Sequence, residues 1–197
     1  KSFRERFDNL SEPEPRTVPI LASMPAAEIK QAAKPLPDLA EQFTRELTAL
    51  GGRVVNTDHP EQAILDFLHS RGVDRIHLEP GVLDETVLEA AGIHILRTPD
   101  PSLRVGVTRA ACAAADTGSI LVCDGEGSPL HVSLLPEIHL ALLKRGDILP
   151  SLSDALPRLR DSRAAVFISG PSRTADIEMT LTIGVHGPGE VVVFLTD

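Results

Sequence analysis

Between residues 38 and 96 the chain repeats one pattern three times: an amphipathic helical stretch, a glycine, then a short apolar run. Asp38 can cap a helix that puts Leu39, Phe43, Leu47 and Leu50 on one face, and Gly51-Gly52 stops it before a strand at 53–56. Pro60 suits a first helical turn, with Ala63, Ile64, Phe67 and Leu68 following at helical spacing until Gly72; a strand at 76–78 comes next. A shorter helix at 84–91, stopped by Gly92, leads into a strand at 93–96. Strands separated by helices need right-handed crossovers. The expectation is therefore an α/β fold with a mainly parallel sheet covered by helices on both faces.

Downstream the chain is richer in strand. Apolar or β-branched runs at 105–108, 119–123, 130–134, 141–143, 164–168 and 191–195 are each bounded by turn residues. Residues 151–160 read as a short helix that Pro157 should kink. The first 37 residues hold six prolines and no sustained periodicity, so they are expected to be an extended arm, 1–37, ahead of one α/β domain, 38–197.

Composition removes several function classes. A net charge of −9 with no dense run of Lys and Arg argues against a nucleic-acid binder. The longest apolar stretch, residues 110–115, is far short of the roughly 20 residues that span a bilayer, so no membrane insertion is expected. The opening Lys1-Ser2-Phe3-Arg4 does not read as a secretory signal, and the expected location is the cytoplasm. Cys112 and Cys123 are the only cysteines, too few for an all-cysteine iron–sulfur cluster or a four-cysteine zinc site. Neither a metal nor a cofactor is expected.

The strongest candidate for chemistry is the loop after the strand at 165–168. Ser169, Gly170, Ser172, Arg173 and Thr174 offer hydroxyls, a guanidinium and backbone N–H groups to a small anion. Asp176 and Glu178 follow either as first-turn caps of a helix or as alternate residues of a strand, because Ile177, Met179, Leu181 and Ile183 also alternate with polar residues. The helix is the reading adopted, since 191–195 should be a parallel strand that needs a crossover to reach it. A second candidate is the turn of Asp116, Thr117, Gly118 and Ser119, which can present N–H groups to an anion or serve only as a turn. His186 lies in a glycine-flanked loop, and His139 and Glu137 in a strand-like segment without a third ligand for a metal. Glu126, between two glycines, reads as a solvated hairpin tip.

The string Ile168-Ser169-Gly170-Pro171-Ser172-Arg173-Thr174-Ala175-Asp176-Ile177-Glu178, followed by Gly184-Val185-His186-Gly187-Pro188, resembles the C-terminal signature of the LUD-domain family, of the lactate utilization protein C type. Val105-Gly106-Val107-Thr108 with Ala115-Asp116-Thr117-Gly118-Ser119, and Ser133-Leu134-Leu135-Pro136-Glu137-Ile138-His139, fit the same family. The resemblance implies a fold similar to the sugar-phosphate isomerase and CoA-transferase group. It further implies a non-redox part in oxidising L-lactate to pyruvate beside iron–sulfur protein partners, with a small carboxylate as a possible ligand. A stand-alone isomerase or transferase acting on a phosphorylated or carboxylated small molecule is the competing reading.

Overall fold

The computed structural model describes residues 38–98, 100, 102–124, 130–159, 162–175, 181–183 and 187–197. The arm at 1–37, Glu126, Asp176, Glu178 and His186 lie outside the described residues. Helix α1 (Leu39–Ala49) starts where Asp38 accepts the Ala40 N–H at 2.9 Å, and it buries Ala40, Phe43 and Leu47 along one stripe. Gly51, at φ 91°, takes the left-handed conformation that ends it. Burying Phe43 and Leu47 contributes about 2 kcal/mol each.

Strand β1 (Arg53–Asn56) leads to α2 (Pro60–Ser70), β2 (Arg75–Leu78), α3 (Glu85–Ala90), β3 (His94–Leu96) and β4 (Val105–Arg109). Next come β5 (Cys112–Ala114), β6 (Ser119–Cys123), α4 (His131–Leu134), β7 (Ile138–Lys144) and β8 (Ile148–Leu149). The remaining elements are α5 (Leu152–Ala155), β9 (Ala165–Ile168), β10 (Arg173–Ala175), β11 (Leu181–Ile183) and β12 (Glu190–Thr196). A Ser151–Asp154 capping box opens α5, and the chain tightens at Pro157 into a 3-10 turn, Leu156–Leu159.

Six strands form one sheet in the order β1-β12-β7-β4-β2-β3, and every pairing in it is parallel. The expected mainly parallel α/β sheet is what the chain builds. On one face Val105, Val107, Leu140 and Phe194 pack against α2 and α3. On the other, Ala141, Leu143, Val191 and Val193 pack against α1 and a smaller sheet ordered β8-β5-β6-β9. Short α4 also sits on this second face, with the Val132 carbonyl and the Pro136 ring directly over Gly106 of β4. Gly106 is the only residue small enough for that approach.

Three sequence expectations are corrected. Residues 131–134 are helical rather than extended; the Leu130 carbonyl accepts both the N–H and the hydroxyl of Ser133, which closes a turn. No helix begins at Thr174: β10 pairs antiparallel with β11, Arg173 opposite Ile183 and Ala175 opposite Leu181. The crossover from β7 to β12 is supplied by β8, α5 and β9, so the alternating pattern was free to form a hairpin. Finally, β9 does not belong to the parallel sheet. It pairs antiparallel with β6, so the loop at Ser169 leaves the small mixed sheet and not the carboxyl edge of the large one.

Candidate functional site

The antiparallel register of β6 and β9 sets Ile120 opposite Ile168, which brings the residues just outside that pair together. The Ser119 hydroxyl donates to Thr117 Oγ1 at 2.8 Å and lies 2.6 Å from Ser169 Oγ. A serine has one hydroxyl proton, so Ser169 is the donor in the second bond. The result is a hydroxyl relay, Ser169 to Ser119 to Thr117, whose last proton is free to meet an acceptor. Ser119 is buried between the exposed Ser169 and the half-buried Thr117, so both ends of the relay reach the surface. Two loops chosen separately from the sequence thus form one surface, joined through Ser119 of the second candidate turn.

The same loop is pinned to the end of α1. Arg173 Nη2 donates to the Leu50 carbonyl at 2.6 Å, where the helix dipole is negative and the last carbonyls lack intrahelical partners. Gly170, at φ 100°, approaches the same carbonyl so closely that a Cβ would stand 3.1 Å from its oxygen. Gly118, at φ 59°, lies against the backbone of Glu46 and Leu47. Both glycines therefore serve the docking of α1. Arg173→Ala is expected to lower stability by about 1 kcal/mol in urea unfolding, the usual worth of one such bond, with Arg173→Lys losing less.

Other candidates have structural occupations. The Ser172 N–H donates to the Pro188 carbonyl at 2.8 Å, tying the loop to the approach of β12. Asp116 accepts the Leu152 N–H at 3.1 Å and so caps the start of α5. Thr174 takes its place in β10. His139 is fully buried on β7; its Nε2 pairs with Thr108 Oγ1 at 2.8 Å while Nδ1 has no partner. Burial pushes its pKa down to about 4, which keeps the ring neutral.

Strand register places His77, Gly106 and His139 in one row across β2, β4 and β7. His77, also buried, accepts the Asp100 N–H at 3.2 Å and meets His131 edge-on, ring centroids 5.6 Å apart. Burial, then the neighbouring His77, lowers the pKa of His131. Among the described residues no group of three His, Cys, Asp or Glu side chains is placed to hold a metal ion. Nor is any helix among them long and apolar enough to cross a membrane.

Comparison with known proteins bears on the same segments. The LUD domain family model matches residues 96–196, which contain the relay, the Arg173 loop and the histidine row except for His77. The chain is 37% identical over 92 residues to "Lactate utilization protein C" of Halalkalibacterium halodurans, a match covering 43% of this chain and 40% of that protein. It is 34% identical over 101 residues to "Lactate utilization protein C 1" of Bacillus mycoides, covering 47% and 43%. The matched segment is therefore less than half the length of either relative. In three dimensions the chain is similar to a DUF162 family protein from Deinococcus radiodurans, with a TM-score of 0.63 at 18% identity over 83% of this chain and 100% of that one. With about half its length matched by the family model, including both loops that meet at Ser119, the chain belongs to the LUD domain family.

Proposed function

We propose that this protein serves lactate utilization as a non-redox subunit or accessory protein, and that it binds a small carboxylate on the surface shared by Thr117, Gly118, Ser119, Ser169, Gly170, Ser172 and Arg173. The observation that carries the reading is the 2.6 Å bond between Ser119 and Ser169, which unites two segments within the span matched by the family model. A relay ending in a free hydroxyl proton, beside a guanidinium with donors left over from its bond to Leu50, suits a carboxylate better than a cation. The lactate connection comes from the names of the relatives. Thr174, Asp176, Glu178 and His186 belong to the same proposal through sequence proximity alone.

Two cysteines, one buried and one partly so, cannot ligate an all-cysteine cluster, so electron transfer would fall to iron–sulfur protein partners. A stand-alone enzyme is the weaker reading, because Arg173, Gly118 and Gly170 are already engaged with α1. The test is affinity capture of the tagged full chain from its own cells grown on lactate, together with growth of a deletion strain. Iron–sulfur proteins should co-purify, and growth on lactate alone should fail while growth on glucose is normal. Normal growth on lactate with no such protein recovered would overturn the proposal.

A further inference from the structure

We infer that the carboxyl-terminal edge of the parallel sheet carries a second binding site, for a small organic carboxylate with a hydrocarbon portion. It shares no lining residue with the Ser119–Ser169 surface and goes beyond the function proposed above. The site is a cleft of about 370 Å³ where β4, β7 and β12 end beside the start of α2. That volume is at the lower end of the range usual for small-molecule sites, roughly 300–1,000 Å³. Parallel α/β sheets bind ligands outside the carboxyl ends of their strands, which is where this cleft opens.

Register explains why cations gather there. Arg109 of β4 lies beside Leu142 of β7, and Lys144 lies beside Thr196 of β12. Lys144 follows Leu142 by two residues, so both point to the face covered by α2, as do Arg109 and Thr196. Two cations and a hydroxyl on three neighbouring strands therefore border one opening. Arg109 commits Nη2 to the Gly81 carbonyl at 3.1 Å, leaving other donors, and Lys144 has no ion pair among the described residues.

The acidic groups nearby are turned to other work. Asp147 lines the cleft but faces Arg158 at 4.0 Å, and Glu79 accepts the Arg109 backbone N–H at 2.8 Å without lining the cleft. The lining thus holds two cations against one carboxylate in a protein of net charge −9, a local field that favours a single negative charge. Val82 and Leu142 supply apolar wall for the rest of the molecule. Two cations with apolar walls suit a carboxylate that carries hydrocarbon better than a bare, strongly hydrated anion.

The probe is 4-methylpentanoate, titrated into the full chain labelled with carbon-13 at valine and leucine methyls; 4-methylpentanamide and inorganic phosphate are parallel titrants. The Val82 and Leu142 resonances should shift saturably with the carboxylate. The uncharged amide should bind about tenfold more weakly, as expected when a charge-assisted bond is lost. Lys144→Gln should weaken binding of the carboxylate by about tenfold and Lys144→Arg should largely retain it. Because Lys144 is exposed, both variants should melt like the parent. Unmoved methyls, an amide that binds as well as the acid, phosphate that binds as tightly as the acid, or an unaffected Lys144→Gln would each overturn the inference. Shifts confined to the methyls of Leu47 and Leu50, which stand beside Gly118 and Gly170, would also overturn it while leaving the first proposal standing.

Discussion

Gly106→Ala should cost about 3 kcal/mol or more in urea unfolding, far beyond the effect of an ordinary surface glycine. The added methyl would run into the Val132 carbonyl, with Val132 C at 3.0 Å and the Pro136 ring at 2.9 Å. Backbone cannot move aside as a flexible side chain can, so α4 would have to lift from the sheet. That movement would uncover the row of buried histidines on either side of Gly106. Gly146→Ala is the comparison, because nothing lies within 4 Å of its Cβ position; it should change stability by less than about 0.5 kcal/mol. Equal effects at the two positions would show that α4 does not press on β4 as described.

Acid should weaken the fold through His139. The ring is neutral when buried, with its pKa pushed down to about 4, whereas in the unfolded chain it titrates near the ordinary 6.5. Between those values the unfolded state binds the proton and the folded state does not, so stability falls as pH falls. The interval corresponds to about 3 kcal/mol, fully present above pH 6.5 and lost progressively down to pH 4. His139→Leu combined with Thr108→Val removes both partners of the buried 2.8 Å bond and leaves no orphan hydroxyl. The double variant should show a flatter melting temperature across this window. An unchanged pH slope would mean that other groups cause it.

Much of the first half of the fold is legible in the sequence because its signals are local. Asp38 caps where a cap was expected, Pro60 opens α2, and glycines 51, 72 and 92 take positive φ just past three helices. The small sheet is not legible, since β5, β8 and β9 look like any short apolar run and nothing local says which sheet a strand will join. The need for a crossover argues for a helix from Thr174, but β8, α5 and β9 already lie between β7 and β12, and Arg173–Ala175 pairs with Leu181–Ile183 instead.

The candidate site was half visible for the same reason. Thr117, Gly118 and Ser169 stand out as turn residues, yet their meeting depends on the β6–β9 register, and Ser119 alone looks like the first residue of a strand. Gly118 and Gly170 signal close approach, but only the structure shows that α1 is what approaches. Arg109 and Lys144 give no signal at all. Each is a charged residue at a strand end, and only parallel pairing of β4 and β7 sets them at one opening.

The position of β12 bears on how the chain is made. Its neighbours in the sheet are β1 and β7, so β1 has no strand to pair with until Glu190–Thr196 has been synthesised. During translation β7, β4, β2 and β3 can assemble while β1 waits for its partner strand. Such pairing across long sequence separations folds slowly. A nascent chain stalled before Glu190 would therefore keep β1 without a partner strand, and synthesis of Glu190–Thr196 is the event that ties it into the sheet.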